Sequence, residues 1–252
     1  MKALKILFSI YYWAAFALIT IVMFIPAALA WLLSFWWDPL RRWNNRVSWV
    51  WARMYMLANP CWKLTITDRE KINPDIPTLL VANHLSMWDI FVLFLLRKDF
   101  HWVSKRSNML IPLIGQNMYF VRTILLDRDS PREILRMVKE SVKRLEEGIS
   151  LMIFPEGERS LSGRLQPFLG GAFMIAKRAK VRIQPVVITN TFKLLPRLQW
   201  IFNPIVHLHV SVLDPIPKET VELLGTEELS ALVKDAFVKA LPADHRPLEE
   251  IS

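Results

Sequence analysis

Residues 83–89 read Asn-His-Leu-Ser-Met-Trp-Asp. This heptad follows the apolar run Thr78–Ala82 and precedes a second apolar run, Ile90–Leu96. On a continuous helix, positions five apart are rotated by about 140° and do not meet. His84 is therefore expected outside the helix, at the carboxyl end of a strand, with Asp89 in the first turn that follows. With Ser86 as the N-cap, Asp89 is the third helical residue and the imidazole can fold back over its carboxylate. A carboxylate accepting from one ring nitrogen fixes the tautomer and stabilises the imidazolium, which leaves the other nitrogen to take a proton. That makes His84 a candidate general base for activating a hydroxyl or a water. Ser-x-x-Asp is also a capping box, so Asp89 has a purely structural alternative.

A second motif, Phe154-Pro-Glu-Gly-Glu-Arg-Ser160, follows another apolar run. Carboxyl ends of strands are where open α/β sheets bind ligands. Gly157 permits close backbone approach, Arg159 offers a planar fork for phosphate, and Glu156 is expected to hold that arginine in place. Residues 97–144 carry eleven bases against five acids, among them Lys105, Arg106, Arg122 and Arg128. A base at one strand end with arginines at others suits a phosphorylated alcohol whose hydroxyl is to be activated.

The elements that must position these groups are legible in outline. Thr78–Ala82, Met118–Leu126, Ile149–Phe154, Val181–Ile188 and Ile205–Leu213 read as strands. Ser130-Pro131-Arg132-Glu133 opens a helix as N-cap, first-position proline and capping-box glutamate. Its apolar face is expected at Ile134, Leu135, Val138, Val142 and Leu145, with Gly148 as the stop. Gly171–Lys180 and Thr226–Leu241 read as further helices. Strands alternating with helices predict a helix-covered, partly parallel α/β sheet over residues 59–252.

Residues 1–58 are different. Ile6–Trp37 contains no charge. As one helix it would be about 48 Å long, against a hydrocarbon core of about 30 Å. Pro26 is expected to kink or break it. After Asp38-Pro39, residues 40–57 interleave four arginines with tryptophans, as an interfacial helix requires. Eight of the eleven tryptophans lie in residues 1–62, and tryptophan concentrates where membrane meets water. Lys2 and Lys5 lie before the apolar run and the arginines after it. Positive charge on both flanks favours a two-helix element dipping into one leaflet from the cytoplasmic face over a single span. A cleaved signal peptide fits less well, because the apolar stretch is too long for one.

The net charge of +9 therefore points to a lipid surface; no nucleic-acid fingerprint is present. The single cysteine, Cys61, excludes an intrachain disulfide and fits a reducing compartment. His207-x-His209 shares one face of a strand, but no further metal ligands are near in sequence, and two strand histidines are the preferred reading.

Taken together, the motifs resemble the glycerolipid acyltransferases, most closely those acting on 1-acylglycerol-3-phosphate. Asn83, His84, Ser86 and Asp89 match the family's first block. Lys105, Pro112, Gly115 and Arg128 match the second. Phe154–Ser160 matches the third, apart from Glu158 where the family has threonine, and Pro185 matches the fourth. The resemblance covers roughly residues 60–215. It implies that His84, oriented by Asp89, deprotonates the 2-hydroxyl of a lysophosphatidate. The alkoxide then attacks the thioester of acyl-coenzyme A or acyl carrier protein, with no cofactor, no metal and no covalent acyl-enzyme. Lys105, Arg128 and Arg159 are expected to hold the phosphate, with Glu156 and Gly157 shaping that site. Glu158, and the absence of a lysine after Pro167-Phe168, allow a less anionic acceptor headgroup. Two rivals remain: a hydrolase in which His84 activates water, and a non-catalytic binder of anionic lipid, which leaves His84 with Asp89 unused.

Overall fold

The computed structural model describes residues 2–127 and 130–248. Seven strands form one sheet: β1 (Trp62–Thr67), β2 (Thr78–Ala82), β3 (His101–Lys105), β4 (Ile124–Leu126), β5 (Leu151–Ile153), β6 (Arg182–Thr189) and β7 (Val206–Val212). Their spatial order is β1-β7-β6-β2-β5-β3-β4. The five strands from β6 to β4 are parallel, β7 is antiparallel to β6, and β1 is parallel to β7. This is the expected partly parallel, helix-covered sheet. β2 lies at its centre, fully buried, between β6 and β5.

Alternate residues of the central strands serve two cores, as the period-2 pleat requires. Leu80, Ala82, Met152, Val186 and Ile188 face one side; Leu79, Val81, Leu151, Ile153, Ile183 and Val187 face the other. Helices α5 (Pro131–Glu146), α6 (Gly171–Ala179) and α9 (Thr226–Ala240) cover the second face. The first is covered by α1 (Lys2–Ser34), α2 (Arg42–Leu57), α3 (Trp88–Phe94) and α4 (Ile114–Phe120). Short helices α7 (Thr191–Leu194) and α8 (Lys218–Leu223) complete the fold.

The amino-terminal helices are built into the domain's core. Tyr12, Tyr55, Trp62, Trp88 and Phe202 form one buried aromatic cluster. The Tyr12 hydroxyl donates to the Tyr55 carbonyl at 2.6 Å, and Trp13 Nε1 donates to the Trp200 carbonyl at 2.9 Å. The break expected at Pro26 is absent, and α1 runs through it. The helix is gripped on both sides of the proline: Asn44 of α2 donates to the Ala27 carbonyl, and Phe24 and Trp31 stack on Phe120 of α4. The outward face of α1 is apolar and bare, with Leu4, Leu7, Leu18, Ile21, Ile25 and Leu33 all more than half exposed.

Two further expectations need correction. Met118–Leu126 is not one strand: its first half completes α4 and only Ile124–Leu126 joins the sheet. Gly115 explains the switch. A Cβ there would lie 2.0 Å from the Met109 carbonyl oxygen, so the glycine admits a tight turn that starts a helix, and Phe120 is buried against α1. In α5, Ser130 and Pro131 cap as expected, but the buried face is Met137, Val138, Ser141, Arg144 and Leu145, while Ile134 and Leu135 are exposed. The inward turn of Arg144 is a polar choice that apolar periodicity cannot register.

Candidate active site

Three adjacent strands end at one place. His84 lies two residues beyond β2, Glu156 three beyond β5, and Thr191 two beyond β6. Asn83 joins two of these ends. Its side-chain amide donates to the Ile188 carbonyl at 2.8 Å and accepts from the Ile188 N–H at 2.7 Å, extending the β2–β6 ladder by one rung.

The chain then turns so that His84 Nδ1 lies 2.8 Å from Asp89 Oδ2. Asp89 is fully buried and opens the first turn of α3. Its Oδ2 also accepts from the Leu85 and Ser86 backbone N–H groups, at 2.6 and 2.8 Å. Its Oδ1 accepts from the Thr191 hydroxyl. A carboxylate so placed is an acceptor toward the ring, so the imidazole proton sits on Nδ1 and the Nε2 lone pair is available. Among the described residues no group hydrogen-bonds Nε2, and the side chain is 12% exposed. Ser86 is not the N-cap; α3 begins at Trp88, and the Ser86 hydroxyl donates to the Leu195 carbonyl.

The second motif clamps His84. Its backbone N–H donates to Glu156 Oε1 at 2.6 Å, and its carbonyl accepts from the Ser160 N–H at 2.8 Å. The ring lies flat on Phe154, with centroids 3.8 Å apart and planes 5° apart. The expectation that Glu156 grips Arg159 is thus corrected. Glu156 is buried and spends both oxygens on backbone amides, those of His84 and of Gln166 at 2.9 Å. An amide at the turn competes better for a buried oxygen than a long, half-exposed guanidinium. Gly157 sits at φ +80°, a conformation costing a residue with a Cβ about 1 kcal/mol or more.

Burial pushes the Glu156 carboxyl up to about 8, against the two amide bonds that favour its charged form. A carboxyl raised in the folded chain supports folding fully below its ordinary value near 4.5, and that support is lost as pH rises to about 8. The urea midpoint is therefore expected to fall between pH 5 and 8, and Glu156→Gln is expected to flatten that segment of the profile.

Arg159 is half-buried beside Arg197; burial and Arg197 lower its pKa while Asp89 opposes. Arg197 donates to the Arg159 carbonyl at 2.6 Å and pairs with Glu158 Oε2 at 2.9 Å. Glu158 therefore holds Arg197 and leaves Arg159 without a carboxylate partner among the described residues. Lys105 is exposed at the end of β3. Arg128 lies outside the described residues. His207 and His209 stack 4.0 Å apart on β7, with His207 Nε2 at 2.8 Å from the Thr65 hydroxyl. Among the described residues no three potential ligands cluster for a metal ion.

Thr191 and Arg197 were not visible as site residues in the sequence. Thr191→Val is isosteric and removes the only donor to Asp89 Oδ1 among the described residues. A hydrogen bond to a charged group contributes about 1.5–3 kcal/mol, and a loss of that size is expected in urea unfolding.

A mostly parallel α/β sheet with a histidine–carboxylate pair at the end of its central strand defines the class. The chain belongs to the Acyltransferase family, whose profile matches residues 63–189. It is 39% identical over 138 residues to a 1-acyl-sn-glycerol-3-phosphate acyltransferase of Chlamydomonas reinhardtii, covering 54% of this chain and 42% of that one. A protein of the same description from Saccharomyces cerevisiae is 32% identical over 169 residues, covering 66% and 55%. The chain spans about half the length of the curated relatives it matches. The crystal structure of the 1-acyl-sn-glycerophosphate acyltransferase from Thermotoga maritima has the same fold, with TM-score 0.80 and 21% identity over 95% of each chain.

Proposed function

We propose that this protein transfers a fatty acyl group from an acyl thioester to the 2-hydroxyl of 1-acylglycerol-3-phosphate, making phosphatidate for phospholipid synthesis. The observation that carries this reading is the His84–Asp89 pair with Nε2 open, in a chain whose relatives are named for that reaction. Nε2 takes the proton of the 2-hydroxyl as its oxygen bonds to the thioester carbonyl carbon. The tetrahedral intermediate collapses, the C–S bond breaks, and the thiolate leaves with the proton from the imidazolium. A thioester is already activated, so a positioned, deprotonated hydroxyl carries much of the rate. Backbone amides are the proposed donors to the oxyanion. Lys105, Arg128 and Arg159 are the proposed phosphate ligands, and acyl-coenzyme A or acyl carrier protein the donor; no cofactor is invoked.

Residues 1–58 are proposed as the membrane-associated element, inserted in one leaflet from the cytoplasmic face. The bare apolar side of α1 supports this, since its opposite side is occupied by the domain. A second reading, an acceptor with another headgroup, draws support from Glu158, which neutralises Arg197 beside Arg159.

The test is thiol release from an acyl thioester in mixed micelles, with and without lysophosphatidate. Acceptor-dependent release is expected, and a panel of lysolipids ranks the headgroups. Release independent of acceptor would instead identify a hydrolase. Absence of release from any pair, by folded protein, would leave lipid binding alone.

A further inference from the structure

The opposite end of the sheet holds a second concentration of positive charge. His101 opens β3 in register with Leu151, and Leu151 with Leu79, five residues before His84. At about 3.3 Å per residue this places His101 roughly 16 Å along the strands from the catalytic candidate. Next to His101 a cavity of about 310 Å³ opens between α1, the α1–α2 turn, α4 and α5, lined by Trp31, Phe35, Arg41, Tyr119, Arg122 and Arg144 among others.

Three guanidiniums therefore share one small space. Arg144 is only 8% exposed. It donates to Glu140 Oε1 and to His101 Nδ1, each at 2.7 Å, and to the Arg122 carbonyl at 3.2 Å. Burial and Arg144 push the His101 imidazole down to about 3, so it is neutral and donates Nε2–H to the Leu40 carbonyl. Among the described residues Arg122 and Arg41 each donate only to a backbone carbonyl, those of Pro39 and Phe35. Arg41 Nε is buried without a partner among the described residues. Neither arginine pairs with a carboxylate among the described residues; Asp38, Glu140 and Glu147 act on them only at longer range. Both also sit at positive φ, 52° and 54°, a left-handed backbone that is unfavourable for a residue with a Cβ. Like charges, an unpartnered buried donor and local strain together describe a site assembled for an anion.

The walls say which anion. Trp31 and Phe35 line the cavity, and Tyr119 is 61% exposed at it. Planar forks match phosphate oxygens, and the apolar surround accommodates attached hydrocarbon. We propose that this cavity is a second phosphate-binding site, for a phosphomonoester and foremost that of a membrane lipid. It is separate from the acceptor site and independent of the acyl-transfer reading.

The test counts bound phosphate. Full-length protein in neutral-detergent micelles is titrated with radiolabelled dioctanoyl phosphatidate at constant ionic strength. Arg41→Gln/Arg122→Gln is expected to bind one equivalent fewer than the native chain. Arg159→Gln, which probes the acceptor site, is expected to keep the cavity equivalent. The Arg41→Lys/Arg122→Lys pair guards against misfolding: charge is retained, the forks are lost, and affinity for that equivalent is expected to fall about tenfold. Inorganic phosphate that displaces the cavity equivalent would make a soluble phosphate the source; failure to displace it would make the lipid the source. Equal stoichiometry in the native chain and the folded Arg41→Gln/Arg122→Gln variant, or unchanged affinity in the Arg41→Lys/Arg122→Lys pair, would overturn the proposal, whatever Arg159→Gln does.

Discussion

His84→Ala is expected to lower acceptor-dependent thiol release by about 10²–10⁴-fold, the range for removing a positioned general base. The loss should appear in kcat, with little change in the KM for either substrate. The imidazole contributes its lone pair to the transition state and no charge to the phosphate. Nor should the fold suffer greatly. Glu156 and Ser160 bind the backbone of residue 84, not its ring, and those bonds survive the substitution. What disappears is the contact with Phe154 and one of the four donors to Asp89 among the described residues. Single-turnover thiol release with saturating lysophosphatidate, beside a urea melt of the same preparation, separates the two effects. A variant that melts like the native chain and still transfers within threefold of its rate would remove His84 from the reaction.

The histidine–aspartate geometry was readable because it is local. Five positions cannot meet on a helix, so the strand-to-helix break between His84 and Asp89 followed from spacing alone. What completes the site is not local. Thr191 reaches Asp89 across 102 positions, and Glu156 reaches His84 across 72. Those meetings come from β6 and β5 flanking β2, an order that no single segment encodes. The second motif shows the same limit in another way. Glu-Gly-Glu-Arg suggests a carboxylate holding an arginine, yet Glu156 is taken by backbone amides and Glu158 by Arg197. Backbone donors leave no trace in a list of side chains. Of the strands, β2, β5, β6 and β7 were visible as apolar runs. β1 and β3 are not apolar runs: Trp-Lys-Leu-Thr-Ile-Thr carries instead the strict alternation of a half-buried strand, and His-Trp-Val-Ser-Lys carries neither pattern over its short length. Pro26 misled for the opposite reason: a local rule was overridden by packing that only the folded chain supplies.

Asp89 offers the sharper dissection, because its two oxygens have different partners. In Asp89→Asn the amide oxygen is expected at the Oδ2 position, where the Leu85 and Ser86 N–H groups and His84 Nδ1–H all require an acceptor. The amide nitrogen then falls at Oδ1 and donates to the Thr191 hydroxyl, which can turn from donor to acceptor. Geometry and tautomer are kept, and only the negative charge behind the imidazolium is lost. Because that charge stabilises the imidazolium as it forms, and a hydrogen bond to a charged group contributes about 1.5–3 kcal/mol, activity is expected to fall by about 10–10²-fold while the protein stays folded. Asp89→Ala is expected to do more than this. It strands two backbone donors and a hydroxyl at a fully buried position, each at about 1–3 kcal/mol, out of a total stability of about 5–15 kcal/mol. That variant should be recovered largely unfolded, or with a melting temperature well below that of the asparagine form. Comparing the two by circular dichroism and thiol release distinguishes a carboxylate that serves the reaction from one that only caps α3. If Asp89 were only a cap, Asp89→Asn would keep both its fold and its full rate.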